Sequence, residues 1–158
     1  MKLKTAAILV GLTLSVGLVG CGTDDDGGSM TIEDAPLAGK VGGADWTFVA
    51  GDTSAFLSEG EDSYFTTMYP AQFTACGFSE PGGDHIIVGI PKTVGEYPMS
   101  LSRNMTFVVG DQNLIGINGK IRVDEVTADK VKGGLVGSFD GDNQVSGTFE
   151  VTICPDEN

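Results

Sequence analysis

The residues of this chain that could do chemistry are three cysteines, one histidine and several groups of closely spaced acids. The lone histidine, His85, excludes a zinc site built from several histidines. Asp84 precedes it, but neighbouring residues on a strand point to opposite faces, so we do not expect Asp84 to orient the His85 ring. The chain also lacks a G-x-S-x-G nucleophile motif. We therefore predict no catalytic residue and no enzymatic activity.

The acidic groups lie where turns are predicted, and one of them has residue types that calcium uses. Asp140-Gly141-Asp142-Asn143 offers side-chain oxygens, yet it lacks the spaced third ligand and the closing glutamate of an EF-hand. We favour a glycine-containing hairpin turn and predict no metal and no cofactor, with Asp140 and Asp142 as the calcium candidates. A second loop holds three acids at residues 59–62. A carbohydrate-active hydrolase that uses two facing loop carboxylates is therefore an alternative.

The N-terminal residues follow the pattern of an export signal. Lys2 and Lys4 give a positive start, and the fourteen residues from Thr5 to Leu18 are uncharged and mostly apolar. Such a run is shorter than the roughly 20 residues of a bilayer span and is typical of a secretory signal peptide. The run ends in Leu18-Val19-Gly20-Cys21, which resembles the lipobox of bacterial lipoproteins. The resemblance implies that residues 1–20 are removed and that Cys21 carries a diacylglyceryl thioether and an N-terminal acyl chain.

Processing at Cys21 would leave Cys76 and Cys154 as the remaining cysteines. Exported proteins fold where disulfides persist, and two thiols allow a single intramolecular connectivity. We predict a Cys76–Cys154 disulfide, with two buried free thiols as the alternative. The bridge would close a loop of nearly eighty residues and stabilise the fold by roughly 4 kcal/mol.

The distribution of apolar residues predicts the domain boundaries. Residues 21–38 carry five acids and almost no large apolar side chains. Because such a segment cannot bury enough surface to fold, we expect a lipidated cysteine followed by an acidic, disordered tether. A single β domain is predicted for residues 39–154, and residues 155–158 form a C-terminal tail.

Charge and the residue after Cys21 bear on partners and location. The whole chain has 9 Lys and Arg against 22 Asp and Glu, a net charge of −13. This acidity argues against nucleic-acid binding, because phosphates would be repelled. Gly22 replaces the Asp that retains lipoproteins at the inner membrane in the sorting pattern of enteric bacteria, and by analogy this implies the outer membrane. We predict a cell-envelope protein held by its lipid and facing the periplasm or the surface.

From Gly39 onward, apolar and polar residues alternate with a period of two, most clearly at residues 145–154. The pattern predicts an all-β fold, an antiparallel β-sandwich or flattened barrel of about ten to twelve short strands. The earlier predicted strands include Ser54–Leu57 and Gln72–Cys76. A helix around Asp124–Lys132 is an alternative to the hairpin that we prefer there.

A strand register can be predicted for that hairpin. If Val123 pairs with Val131 so that both are buried, Arg122 lies opposite Lys132 on the outer face. Lys120, Arg122 and Lys132 would then form a small basic patch. The patch could dock an acidic group of a polysaccharide or lipid, or it could serve solubility and protection of the sheet edge. We favour the second interpretation.

Three short motifs of glycine and apolar residues are spread over the predicted β domain. Val41-x-Gly43-x-x-Trp46, Gly119-x-Ile121-x-Val123 and Gly147-x-Phe149-x-Val151 resemble those of small β-rich lipoproteins of the bacterial envelope, whose domains have no assigned function. The resemblance implies an all-β, anchored protein and supplies no catalytic residue. We therefore expect a non-enzymatic envelope lipoprotein that binds a protein or glycan partner or has a structural role. The hydrolase and a lipocalin-like carrier of a small ligand are the alternatives.

Overall fold

Residues 31–155, the part of the chain that the computed structural model describes, build one curled sheet of eleven strands. The strands are β1 (Ala38–Val41), β2 (Ala44–Thr47), β3 (Ala50–Ser54), β4 (Ser63–Tyr69), β5 (His85–Pro91), β6 (Gly95–Pro98), β7 (Met105–Val109), β8 (Gln112–Gly116), β9 (Asn118–Val126), β10 (Lys130–Asp140) and β11 (Asn143–Thr152), with one short helix, α1 (Ala55–Ser58). The sheet is mostly antiparallel and forms a half-barrel. The all-β prediction is confirmed.

The order of the strands brings distant parts of the chain together. The hydrogen-bonded order is β6-β9-β10-β11-β3-β4-β5-β7-β8, with β1 beside β11 and β2 beside β1. The pairing of β11 with β3 is parallel and consists of Thr152 opposite Asp52. At the other end, β8 leads through Ile117 directly into β9. β8, the last strand in this order, is therefore followed in sequence by β9, which lies next to the first strand, β6.

The alternation of apolar residues along the strands produces the core. On β11, every second residue from Asn143 to Val151 is buried, as the pattern predicts. The side chains that are fully buried and largest include Met68, Tyr69, Ile86, Ile90, Met105, Phe107, Ile121 and Leu135. Apart from Tyr69, whose hydroxyl reaches a carboxylate, they belong to one hydrophobic cluster inside the curl.

Two predicted strands are wrong. Ser54–Leu57 spans the end of β3 and the start of α1, because the Ser54 hydroxyl accepts a hydrogen bond from Leu57 N at 3.3 Å and caps the helix. Gln72–Cys76 lies in the loop between β4 and β5 and belongs to no strand. Cys76 has a φ of 60°, which a regular strand does not allow. Within residues 31–155, no helix has the length and apolarity needed to cross a bilayer.

The β9–β10 hairpin forms as preferred, but its predicted register is wrong. Val131 pairs with Val126, and an irregularity after Lys132 places Gly133 opposite Val123. The cause is the tight turn before β10, where the Thr127 hydroxyl accepts a hydrogen bond from the backbone of residue 130 at 3.0 Å. A turn this short shifts the pairing, and the bulge then restores the inward orientation of Val123.

The domain begins earlier than predicted, because residues 31–38 lie against it. Leu37 is fully buried, and its N–H donates to Thr148 O at 2.8 Å. Gly147 makes room for this contact: a Cβ there would lie 2.6 Å from the Leu37 Cα, and its φ is +143°. The prediction of a disordered tether is therefore wrong for residues 31–38. The signal peptide, Cys21 and the rest of the tether lie outside the described residues, as do residues 156–158.

Candidate functional site

The predicted disulfide is present and closes a 78-residue separation between Cys76 and Cys154, with a Cα–Cα distance of 5.4 Å. Cys154 follows β11, and its N–H donates to the Thr53 hydroxyl at 3.0 Å. Cys76 lies in the exposed loop 70–84 between β4 and β5. The bridge therefore attaches this loop to the end of the sheet. We call the bridge, together with Asp52, Tyr69 and Glu80, the disulfide corner.

Asp52 connects the two halves of the corner. From β3, its Oδ2 accepts a hydrogen bond from Cys76 N at 2.6 Å and lies 3.7 Å from Cys154 Sγ. Burial raises the pKa of the Asp52 carboxyl, the Cys76 N–H opposes that change, and the negative charge of Glu80 adds to it. The carboxylate therefore holds the loop next to the sulfur atoms.

Tyr69 holds the same loop at a second point. Its ring is buried, and its hydroxyl donates to Glu80 Oε2 at 2.8 Å. Burial raises the pKa of the Tyr69 phenol, and the bond to Glu80 raises it further, so the hydroxyl stays protonated and keeps donating. The ring also packs edge-on against Phe73, with the centroids 5.2 Å apart. At the disulfide corner, loop 70–84 is thus attached through a covalent bond, two hydrogen bonds and a ring contact.

His85 lies beside this corner and does not form a catalytic pair with Asp84. Its ring centroid is 5.0 Å from that of Tyr69, and its Nδ1 is 2.9 Å from Gly83 O. The Asp84 carboxylate instead accepts a hydrogen bond from Gly110 N at 2.9 Å. The expectation that Asp84 would not orient His85 is confirmed.

The disulfide corner contains a set of metal-ligand atoms. Among the described residues, Asp52, Cys76 and Cys154 form a group whose ligand atoms all lie within 4.8 Å of one another. The two sulfur atoms are joined to each other, so neither is a thiolate in this state. Sequence reasoning missed Asp52, because it reaches the cysteines through the parallel pairing of β3 with β11.

The exposed face of β6, β9, β10 and β11 carries a second cluster of polar residues, which we call the charged ladder. Its members are Glu96, Lys120, Arg122, Asp124, Glu125, Lys130, Lys132 and Glu150. Lys132 Nζ lies 3.4 Å from carboxylate oxygens of both Glu125 and Glu150. Hydrogen bonds to these acids raise the pKa of Lys132, and hydrogen bonds from lysines lower that of Glu150.

The prediction of a basic patch at Lys120, Arg122 and Lys132 is wrong. Lys120 Nζ is 3.4 Å from Glu96, and Arg122 Nε is 2.7 Å from Asp124. Together with Lys132, each cation of the predicted patch therefore has an acidic partner. The physical reason is the register: Lys132 pairs with Glu125 across the hairpin and not with Arg122. A free positive patch does not form.

A groove lies next to the ladder, with a volume of about 680 Å³. Its lining includes Pro36, Phe48, Val49, Glu125, Lys132 and Glu150. Val49 is 40% exposed and Phe48 packs against the core, so part of the lining is apolar. The groove combines this apolar part with charged groups of both signs, and its volume lies in the range of small-ligand sites.

The calcium candidates occupy the predicted hairpin turn between β10 and β11. Asp140 Oδ1 accepts hydrogen bonds from Asp142 N at 3.0 Å and from Asn143 Nδ2 at 2.9 Å. The carbonyl of Asp142 accepts a bond from Gly43 N at 2.9 Å. One oxygen of Asp140 is thus used inside the turn, and the turn as a whole holds the β1–β2 hairpin.

No protein-family model, no curated protein and no solved structure matches this chain. The chain's own residues therefore supply the grounds for a function. Two parts of the described domain stand out for chemistry, the disulfide corner and the groove beside the charged ladder. The acids at residues 59–62 follow α1 and precede β4.

Proposed function

We propose that this chain is a lipid-anchored lipoprotein of the cell envelope whose β domain binds a protein or glycan partner without catalysing a reaction. The observation that carries the proposal is the Cys76–Cys154 disulfide. The chain has three cysteines, so the bridge leaves Cys21 as the one outside it. Disulfides persist in exported proteins, and Cys21 ends a sequence that resembles a lipobox. An oxidised pair together with one remaining cysteine at the end of a lipobox-like sequence supports the proposal of an exported lipoprotein.

The length of chain after Cys21 keeps the domain close to its anchor. The O of Thr31 accepts a hydrogen bond from the Ser146 side chain at 3.1 Å, so residue 31 is already attached to β11. Ten residue steps separate Cys21 from Thr31, and they can cover at most roughly 35 Å in any conformation. In this proposal the domain sits at the outer membrane, as Gly22 implies, with its surface within reach of envelope components.

The groove beside the charged ladder is the proposed binding surface. Phe48 and Val49 supply apolar contact, while Lys132, Glu125 and Glu150 supply donors and acceptors. These charged side chains lie side by side on strands β9, β10 and β11, where Lys132 pairs with both acids. Such a combination suits sugar rings with their hydroxyl groups, or a polar peptide.

Membrane partitioning tests the anchor. The full chain and its Cys21→Ser variant are produced in a Gram-negative host and separated into detergent and aqueous phases. We expect the parent chain in the detergent phase and the variant in the aqueous phase, since several acyl chains on one residue give stable anchoring. A Ser29→Ala variant is the matched control and should behave as the parent does. Equal partitioning of the parent and the Cys21→Ser variant contradicts the proposal.

Cosedimentation with insoluble envelope polysaccharide tests the binding surface. We expect the full chain to sediment with the polysaccharide, and Val49→Asp to weaken this roughly tenfold by placing a charge in the apolar part of the groove. Ile115→Asp, at another exposed apolar residue, on β8, is the control and should bind normally. Sedimentation that is unaffected by Val49→Asp contradicts this site. If the chain releases reducing ends from the polysaccharide, the alternative of a carbohydrate-active hydrolase is favoured.

A further inference from the structure

One edge of the disulfide corner already has the length found in a tetrahedral metal site, and its three ligand atoms all lie within 4.8 Å of one another. A zinc ion holds sulfur at about 2.3 Å and carboxylate oxygen at about 2.0–2.2 Å, so tetrahedral ligands lie roughly 3.6 Å apart for oxygen and sulfur and roughly 3.8 Å for two sulfurs. The distance from Asp52 Oδ2 to Cys154 Sγ is already 3.7 Å. The two sulfurs are joined to each other by a covalent bond. One edge of the ligand triangle is thus in place, and one must lengthen when the bond between the sulfurs is broken.

We infer that reduction of the Cys76–Cys154 disulfide converts this corner into a site for a thiophilic divalent cation of the zinc class. The ligands are the two thiolates and the Asp52 carboxylate, and water completes the tetrahedron. The inference goes beyond the proposed function and does not depend on it.

The conversion balances with a dithiol reductant. A thiolate of the reductant attacks one sulfur of the bridge, the Cys76–Cys154 bond breaks, and the reductant leaves as its own disulfide after its second thiol reacts. The chain has then gained two electrons and two protons as two thiols. The cation displaces those two protons when it binds, because the thiolate is the metal ligand.

The surroundings allow the sulfurs to separate and favour a cation. Cys76 is exposed in loop 70–84, which is paired with no strand, so its side chain can turn outward without disturbing the sheet. Cys154 and Asp52 are fixed by the β11–β3 pairing, by way of the Thr53 hydrogen bond. Glu80 adds negative charge nearby, and the whole chain is strongly acidic. A rigid pair of ligands and one adjustable ligand are therefore brought together in a negative field.

Cobalt titration tests the inference directly. The full chain with Cys21→Ser, which leaves Cys76 and Cys154 as its thiols, is reduced with a phosphine and titrated with Co²⁺. We expect one Co²⁺ per chain, with thiolate-to-cobalt charge-transfer absorption and the visible bands of tetrahedral cobalt, and displacement by Zn²⁺. The oxidised chain should show neither signal. A reduced chain without thiolate-to-cobalt absorption, or an oxidised chain that shows the same absorption, overturns the inference.

Two variants in the same background test the role of Asp52. Asp52→Asn keeps an acceptor for Cys76 N and should weaken cobalt binding by about tenfold or more, as loss of a charged ligand requires. Glu80→Gln removes a neighbouring charge that is not a ligand and should change binding by no more than about twofold. Equal binding by Asp52→Asn and the parent overturns the assignment.

X-ray absorption of the reduced zinc-loaded chain needs no substitution at the site and covers the case in which Asp52→Asn fails to fold. The expected shell is two sulfur and two lighter ligands. A shell of four sulfurs, which requires two chains, contradicts the inference.

Discussion

The disulfide corner and the charged ladder are both polar clusters built beside β11, yet they differ in how they are held. In the corner, Tyr69 is buried, Asp52 is half-buried, and a covalent bond fixes the loop to the sheet. In the ladder, Lys132 and Glu150 are 44% exposed and face water. Interactions between exposed charges are screened by solvent and salt, whereas those of buried or half-buried groups are screened much less. The number of ion pairs is therefore a poor guide to which region stabilises the fold.

The comparison also separates two kinds of function. The corner attaches one long loop and, while the disulfide is intact, holds the two sulfur atoms beside the Asp52 carboxylate. The ladder presents charged side chains to solvent beside an apolar groove. We expect substitutions in the corner to affect stability and those in the ladder to affect binding.

Removal of the disulfide should give the largest effect. Replacing both Cys76 and Cys154 by serine should lower the free energy of unfolding by about 4 kcal/mol, because the unfolded chain regains the entropy of a long closed loop. Urea denaturation without reductant measures this loss, with Cys21→Ser as the control that should leave stability unchanged. A loss below about 1 kcal/mol would show that the corner is not the stronger of the two regions.

The next effect should come from Gly147, where β11 meets residues 31–38. Gly147→Ala places a Cβ against the backbone of Leu37 at a positive φ, and should lower the free energy of unfolding by about 2 kcal/mol or more. Gly141→Ala is the matched control, since nothing lies within 4 Å of a Cβ there. Equal stability of the two variants would mean that residues 31–38 do not pack on the domain.

Loss of the Tyr69 hydroxyl should have a smaller effect. Tyr69→Phe removes the hydrogen bond to Glu80 and keeps the buried ring, so the free energy of unfolding should fall by about 1 kcal/mol. Glu80→Gln retains an acceptor and should cost less. The same denaturation assay compares the two variants. A Tyr69→Phe variant as stable as the parent would show that the hydrogen bond from Tyr69 to loop 70–84 does not stabilise the fold.

The carboxyl of Asp52 should make stability depend on pH. Its pKa is raised above the ordinary value of 3.8, chiefly by burial, so the folded chain binds a proton at a higher pH than the unfolded chain. The contribution of Asp52 to the free energy of unfolding therefore rises as the pH falls from neutral through the folded-state pKa toward 3.8. Relative to Asp52→Asn, the parent should gain less than about 1 kcal/mol over that range, since the residue is half-buried. A parent that instead loses stability relative to the variant contradicts the assigned direction.

The charged ladder should give the smallest effect on stability. Lys132→Gln breaks ion pairs with Glu125 and Glu150 that are open to solvent, so the denaturation midpoint should shift least of all the variants at low salt. The shift should disappear in high salt, because screening already removes the interaction. A shift as large as that of Tyr69→Phe would mean that the ladder and the corner contribute equally to the stability of the fold.

The sequence predicted the parts of this molecule that depend on local pattern or on counting. Alternation of apolar residues located the last three strands, because one face of each is buried. The disulfide followed from counting cysteines, because two remain once Cys21 is taken as the lipid-bearing residue. The Asp140–Asn143 turn followed from its glycine and acids between two alternating segments.

Other features depend on contacts that no local pattern reveals. Asp52 meets the cysteines through a parallel pairing between strands about a hundred residues apart, so its type alone does not mark it as part of a site. The hairpin register was decided by the Thr127 hydroxyl and a bulge. Residues 31–38 contain few apolar side chains, and their docking depends on glycines in β10 and β11 that leave room for Ile32 and Leu37.

Mass spectrometry of the native N-terminus tests the central claim most directly. We expect a chain that begins at Cys21 and carries a diacylglyceryl group on its sulfur and an acyl group on its nitrogen. The same measurement should find Cys76 and Cys154 joined. A chain that still begins at Met1, or a Cys21 without lipid, would contradict the proposal that this protein is an anchored envelope lipoprotein.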